Sequence, residues 1–285
     1  MAERIDGKAI AKRVRAEVAE QAAAFERQHG RAVSLHVVLV GDDPASHVYV
    51  RNKERAAAKA GIDGEVHRLD ASTSQEEVEA LVRRLNADAG VDGILVQLPL
   101  PEGLDARPIV ELIDPKKDVD GLTTHNAGTV LGAGDGLYPC TPRGCMRLLR
   151  ETGVDLRGKH ALVIGRSQLV GRPMAIMLLA SHATVTIAHR HTDPLEPLVR
   201  QADVLVVAVG RANLIPGDWI KPGAVVIDVG INRTVDGKLT GDVDFEGAQS
   251  RASAITPVPG GVGPMTIAML LSNAVRAANL RADTP

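Results

Sequence analysis

The sequence predicts an α/β protein with mainly parallel sheets, in two domains. Three observations predict it. Helical patterns and short apolar runs alternate along the whole chain, as in VSLHVVLVG (33–41), DGILVQLPLP (92–101), KHALVIG, DVLVVAVG and AVVIDVG. The run DGILVQLPLP is continuously apolar up to Gln97, the pattern of a strand buried on both faces. With 285 residues the chain is long enough for two cores, and residues 115–142 change character to PKKDVDG and the Gly-rich LGAGDGLYPCTP, where a boundary is expected.

Taken in order, the first helix carries Ile10, Val14, Val18, Ala22 and Phe25 at helical spacing and stops near Gly30. The strand 33–41 follows, then a helix with Asp43 as N-cap, Pro44 at its first position and Gly61 as stop. A short strand lies near EVHRLD (65–70). The next helix opens with a Ser74–Glu77 capping box and buries Val78, Leu81, Val82 and Leu85. In the strand 92–101, Pro99 marks the end and Gln97 is the polar residue at the carboxyl end, where open α/β sheets bind ligands. Past the boundary a helix begins near Pro142, and a second alternating unit runs through KHALVIG, a helix from Gly171, TVTIAH, a further helix, DVLVVAVG and AVVIDVG. The last helix, near 265–281, puts Ile267, Leu270, Leu271, Ala274 and Ala278 on one side, a stripe that needs a surface to dock on.

Composition narrows the function. Hydrophobic residues make up 45% and charged residues 24%, an ordinary globular balance. A net charge of −2 argues against nucleic-acid binding, and 2% aromatics leaves no stacking platform for single strands. Cys140 and Cys145 fit neither a CxxC nor a zinc pattern, so a reducing, cytoplasmic setting is expected. The N-terminus has no signal-peptide core, and no apolar run has the length of a membrane span.

The helix after Asp43 carries the most informative residue. Wound at about 100° per residue, it puts Arg51, Glu54, Arg55 and Lys59 on one charged stripe and Ala45, Tyr49, Ala56 and Ala60 opposite, with Lys53 among the latter. Tyr49 and Lys53 are one turn apart on the same side. Such a lysine either lays its stem down and puts the charge in water, or lines a cavity and becomes a candidate proton carrier. Gln97 is either a strand-end amide bonded to a neighbouring loop or part of that site.

LVIGRSQLVGRPMA sets Gly165 directly after a strand and Gly171 at a helix start, where dinucleotide phosphates sit. The spacing is G-x-S-x-x-x-G rather than G-x-G-x-x-G, so an ordinary strand–helix turn is the other reading. An NAD site wants a carboxylate after the next strand, whereas AHRHT offers His189, Arg190 and His191 and no carboxylate before Asp193. Arg166 and Arg190 favour NADP, with Arg190 otherwise a solvated loop charge. His189 and His191 lack a third ligand, and Asp118 and Asp120 in KDVDG lack the rest of a calcium loop, so no metal is expected. Asp120 either bonds an amino-substituted heterocycle or is a turn residue before Gly121. Gly260, Gly261 and Gly263 in PVPGGVGPMT allow close approach to a flat ligand, or form a rigid connection. Ile231, in DVGINR, lies at the carboxyl end of an apolar strand.

In PASHVYVRNK, DGILVQLPLP, PKKDVDGLTTHNAG, PCTPRG, GRSQLVGRP, DVGIN, GDVDF and PGGVGPMT, spread in order over nearly the whole chain, the sequence resembles the bifunctional methylenetetrahydrofolate dehydrogenase/cyclohydrolase family. The resemblance implies two domains around a cleft: residues 1–142 with 264–285 binding folate, and residues 143–263 a Rossmann-like NADP domain. It implies Lys53 as general acid/base with Gln97 beside it, Tyr49 stacking on the folate and Asp120 bonding its pterin ring. Gly165, Arg166, Ser167, Ile231 and, more weakly, Arg190 would bind NADP. PGGVGPMT would close over the nicotinamide, with Pro259, Gly260 and Gly261 counted among the substrate contacts. It implies a homodimer that oxidises 5,10-methylenetetrahydrofolate and hydrolyses the methenyl product to 10-formyltetrahydrofolate. The alternatives are a dehydrogenase without cyclohydrolase activity and an NADP-binding regulatory protein without turnover.

Overall fold

The computed structural model describes residues 1–282, and of Ala45 only the backbone, so the expected place of the Ala45 side chain lies outside the described residues. The elements of the first half are β1 (Glu3–Arg4), α1 (Gly7–His29), β2 (Val33–Val40), α2 (Pro44–Lys59), β3 (Ile62–Asp63), β4 (Val66–Leu69), α3 (Gln75–Ala87), β5 (Gly93–Val96), α4 (Ala106–Glu111) and α5 (Thr124–Leu131). Then come α6 (Cys140–Glu151), β6 (His160–Ile164), α7 (Gly171–Ala180), β7 (Thr184–Ala188), α8 (Glu196–Gln201), β8 (Val204–Val207), β9 (Val225–Asp228), β10 (Asn232–Arg233), β11 (Leu239–Thr240), α9 (Phe245–Gln249), β12 (Ala254–Ile255) and α10 (Val262–Ala282). They form two compact units, Met1–Lys12 with Thr141–Thr266, and Arg13–Cys140 with Ile267 onward.

In the unit of residues 13–140 and 267 onward, β3, β4 and β5 all pair in parallel with β2. Val38 and Val40 of β2 share a core with Val78, Leu81, Val82 and Leu85 of α3 and with Ile94 and Val96 of β5. The capping box forms, with Ser74 and Glu77 each satisfying the other's backbone N–H. Strand β5 ends at Val96, earlier than the apolar run suggests. One more ladder bond, from Gln97 N to Val38 O (2.9 Å), closes it, and two residues on Pro99 has no N–H to continue.

Two buried charges tie this unit together. Asp92 is fully buried and accepts from Arg31 Nη1 (2.6 Å) and Nη2 (2.8 Å), Ser34 N (3.0 Å) and Arg281 Nη1 (2.9 Å), joining the starts of β2 and β5 to the end of α10. Lys117 is buried and donates to Leu85 O (2.9 Å), Asn86 O (2.8 Å) and Asp88 O (2.6 Å), the otherwise orphaned carbonyls at the end of α3. Further along α10, Asn273 Nδ2 donates to Val119 O (2.7 Å) and Tyr138 O (2.9 Å), so the last helix docks by polar bonds as well as by its apolar stripe.

The other unit holds a six-stranded sheet in the order β1-β12-β9-β8-β6-β7, parallel throughout. Chain order reverses across β6, whose neighbours are β7 and β8. Residues 1–12 pack in this unit, whereas the sequence reading sets residues 1–142 together. The reason is β1, which extends this sheet by pairing Glu3 with Ala254 and Arg4 with Ile255; a two-residue strand carries no periodicity to read.

At the carboxyl end of β9, Asp228 accepts from Gly230 N (2.9 Å), Asp242 N (3.0 Å) and Val243 N (2.9 Å). Asp242 in turn accepts from Val209 N (2.7 Å), Gly210 N (3.0 Å), Arg211 N (2.8 Å) and Asn232 Nδ2 (2.8 Å). The loops after β8 and β9 are therefore fixed by two buried carboxylates.

Two predictions follow from these charges. Asp92→Ala strands Arg31 and Arg281 beside an empty acceptor and is expected to cost about 2 to 4 kcal/mol, measured by urea unfolding, because breaking a buried pair leaves charge uncompensated. A loss under about 0.5 kcal/mol, the range of an ordinary surface change, would show that the cluster does not hold the unit. Burial pushes the Asp228 carboxyl up to about 6, against the pull of its three backbone donors. The folded chain then keeps a proton that an unfolded aspartate releases near pH 4. The stability from this group is fully present below that pH and is lost as pH rises through about 6. A carboxyl NMR titration should place the Asp228 midpoint there, and a midpoint in the ordinary carboxylate range would refute it.

Candidate active site

On α2, Asp43 caps Ser46 N at 2.8 Å and Pro44 occupies the first turn, as the sequence predicts. The buried stripe is Ser46, Val50, Ala57 and Ala60, rotated from the predicted one. Tyr49, placed by the sequence on the apolar side, is 48% exposed, because the β-branched Val50 takes the core position beside it. Lys53 lies at the border of the stripe, and its Nζ donates to Gln97 Oε1 at 3.0 Å. Gln97 is 8% exposed, and its Nε2 donates to Leu98 O at 2.5 Å. The lysine therefore does not simply snorkel: its ammonium rests on a buried amide that is itself held by the backbone.

Asp120 belongs to the same unit. Its loop is organised by Asp118, fully buried, which accepts from Gly121 N (3.0 Å), Thr123 N (2.8 Å) and Asn126 Nδ2 (2.9 Å). Burial pushes the Asp118 carboxyl up while these donors pull it down. Asp118 thus spends its oxygens on the loop, whereas the half-buried Asp120 carboxylate is bonded by no described residue.

The remaining site residues of the sequence reading lie in the other unit. Gly165 follows β6 at the point where strand order reverses. Its φ is +123°, and a Cβ there would lie 2.3 Å from Ala208 O; at Gly171 a Cβ would lie 2.1 Å from Gly165 O. Both positions must be glycine for the turn to close on itself and start α7. Ser167 Oγ accepts from Val170 N (3.1 Å) and Gly171 N (3.4 Å), which caps the turn. Arg166 is exposed beside it. Past β7, Arg190 is exposed and donates from Nε to His191 Nε2 at 3.1 Å. Ile231 is 51% exposed, after Gly230, which packs on Asp242. Pro259 is exposed, and Gly260 and Gly261 are buried. A tight turn at a helix start, with exposed arginines and no carboxylate at the end of β7, fits a dinucleotide carrying an extra phosphate.

Sequence reasoning missed Asp228, Asp242 and Lys117 as organisers, since a buried carboxylate or ammonium looks like a surface charge until its donors or acceptors are known. It also missed His36, Glu65 and His67, which lie within 4.8 Å of one another by ligand-type atoms. His36 Nδ1 and His67 Nε2 are hydrogen-bonded at 2.8 Å, and His67 Nδ1 is 3.6 Å from Glu65 Oε1.

Comparison with known proteins gives a consistent result. The family model of the tetrahydrofolate dehydrogenase/cyclohydrolase catalytic domain matches residues 5–120, and that of its NAD(P)-binding domain matches residues 139–282. The bifunctional protein FolD of Sorangium cellulosum is 59% identical over 278 residues, covering 97% of this chain and 97% of that protein. The crystal structure of the bifunctional enzyme FolD, a methylenetetrahydrofolate dehydrogenase/cyclohydrolase from Campylobacter jejuni, has a TM-score of 0.96 at 47% identity, covering 99% of this chain and 100% of that one. The Trypanosoma brucei dehydrogenase-cyclohydrolase, complexed with NADP cofactor and inhibitor, has a TM-score of 0.94 at 40% identity, covering 99% of each chain. By sequence and by fold, the chain belongs to the tetrahydrofolate dehydrogenase/cyclohydrolase family.

Proposed function

We propose that the chain oxidises 5,10-methylenetetrahydrofolate with NADP and hydrolyses the 5,10-methenyl product to 10-formyltetrahydrofolate. The observation that carries this reading is the 3.0 Å bond from Lys53 Nζ to Gln97 Oε1, an ammonium aimed by a buried amide at the end of a parallel strand. The unit of residues 13–140 and 267 onward is the folate-binding one in this reading, and the unit of residues 1–12 and 141–266 takes NADP.

The Gly165 turn with Arg166, Ser167, Arg190 and Ile231 would hold NADP, which when bound would supply the hydride acceptor for the oxidation. The chain's own part in that step is orientation. Tyr49 offers an exposed ring for stacking, and Asp120 offers a carboxylate with no competing partner for an amino-substituted pterin. Pro259, Gly260 and Gly261 complete the proposed substrate contacts. Hydrolysis makes a different demand. Water adds to the methenyl carbon and loses a proton; the bond from that carbon to one ring nitrogen breaks, and that nitrogen takes a proton. Lys53 Nζ carries protons between these atoms while Gln97 keeps it in place. The working form is proposed to be a cytoplasmic homodimer, as the resemblance implies. Among the described residues no helix is long and apolar enough to cross a membrane.

Lys53→Met keeps most of the stem and removes the ammonium. Catalysed hydrolysis of methenyltetrahydrofolate is expected to fall by about 100- to 10,000-fold, while part of the dehydrogenase activity survives, because hydride loss assisted by nitrogen lone pairs needs no enzyme base. Methenyl absorbance and NADPH appearance, followed in parallel, read the two steps. Retained catalysed hydrolysis in the folded variant would remove Lys53 from the mechanism.

The paired change Arg166→Ala with Arg190→Ala is expected to raise KM for NADP at least roughly tenfold more than KM for NAD, since charge-assisted bonds to the 2′-phosphate are lost. Equal affinity of the unmodified chain for the two cofactors would contradict this assignment.

A further inference from the structure

Three side chains of metal-binding chemistry meet on the face of the β2–β5 sheet turned away from Lys53. His36 lies in β2, Glu65 directly precedes β4, and His67 lies in β4, which pairs with β2 alone among the described strands. Strand alternation sets their side. Val38 and Val40 of β2 pack on α3, and His67 is in register with Val38. His36, Glu65 and His67 therefore share the α3 face. Residues of the other parity, Leu35 and Val37, border a cavity with Lys53 on the α2 side. The cluster opens to solvent: the Glu65 side chain is 66% exposed and that of His67 13%.

One ligand-type atom from each residue lies within 4.8 Å of the other two. The His36 and His67 rings are stacked at 21°, and His36 Nδ1 faces His67 Nε2 at 2.8 Å. A tetrahedral ion bound at about 2.0 to 2.2 Å spaces its ligand atoms about 3.3 to 3.6 Å apart. The two nitrogens have to part by about half an ångström and the exposed carboxylate has to swing in, both by side-chain rotation. The facing nitrogens share a single proton. Each neutral ring has a second nitrogen to carry its N–H, so a change of tautomer frees both facing lone pairs with no proton lost. Two imidazoles and one carboxylate suit zinc and its first-row neighbours and not the hard ions calcium and magnesium. We infer that His36 Nδ1, His67 Nε2 and the Glu65 carboxylate form a binding site for a divalent first-row transition ion, water taking the open position. The ion would tie β4 to β2, on the opposite face of the sheet from the Lys53–Gln97 pair.

The test uses zinc chloride and the whole chain, free of added histidines and dialysed against a chelator. With a competing chromophoric chelator reporting free zinc, one ion per chain should bind with a Kd of about 1 µM or below. NMR of the histidine rings should show His36 Nδ1 and His67 Nε2 shifting together during the first equivalent. His67→Gln, checked for folding by circular dichroism, should weaken binding at least about 100-fold, and Glu65→Gln about tenfold. Glu65 is exposed, so its variant reads the site with the core untouched. His189→Gln with His191→Gln removes another close histidine pair and should leave the affinity unchanged. No binding at about 100 µM zinc, binding that survives both His67→Gln and Glu65→Gln, or ring shifts confined to other histidines would each mean that His36 and His67 are a hydrogen-bonded pair and nothing more, and would overturn the inference.

Discussion

The structure depends on buried aspartates that accept from backbone N–H groups in the loops leaving the strands. Asp118 gathers Gly121, Thr123 and Asn126. Asp228 gathers Gly230, Asp242 and Val243, and Asp242 gathers Val209, Gly210, Arg211 and Asn232. A loop of this kind has no ladder to satisfy its donors, and an unsatisfied buried N–H costs free energy comparable to a lost hydrogen bond. One carboxylate meets several such donors at once, so it holds the loop in a single shape. Burial of the charge is the cost, and it shows in the raised Asp118 and Asp228 carboxyls.

The same residue types then divide by what they touch. Asp118 is spent on its loop and Asp120, two residues on, is bonded by no described residue. Lys117 is consumed by three carbonyls at the end of α3, while Lys53 makes one bond, to a side chain. Arg31 and Arg281 converge on Asp92, while Arg166 stays exposed. Groups that the chain itself satisfies build the scaffold, and groups of equal charge left with unused hydrogen-bonding capacity are available to a ligand. Rigidity under the second set comes from the first, which is the preorganisation a binding or catalytic site requires.

Much of this was legible in the sequence. The long helices, the capping box and the seven strands of four residues or more were each marked by a periodicity, a cap or a short apolar run. Lys53, Gln97 and the Gly165 turn stood out because each breaks a local pattern: a charge beside an apolar stripe, an amide ending an apolar strand, two glycines at a strand–helix turn. What was not legible depends on register or on distance along the chain. β1 and β12 are two residues each and exist only because they pair with one another and with β9. The loop aspartates find donors up to 33 positions away, as Asp242 does at Val209. The rotated stripe of α2 has a more local cause: Tyr49 and Val50 compete for the core, and the smaller, stiffer side chain fits against the sheet.

That rotation decides what α2 is able to do. At about 100° per residue, Arg55, Lys59, Asn52, Ala56, Tyr49, Ala60 and Lys53 follow one another around the helix within about 160°. Burying Ser46, Val50 and Ala57 leaves Tyr49 half exposed, and Lys53, at the border of the buried stripe, reaches Gln97. Had the predicted stripe been the buried one, Tyr49 would fill the core and offer no exposed ring. The position of the Lys53 ammonium is thus fixed by a packing preference at Val50 and by the extra ladder bond that sets Gln97 against β2.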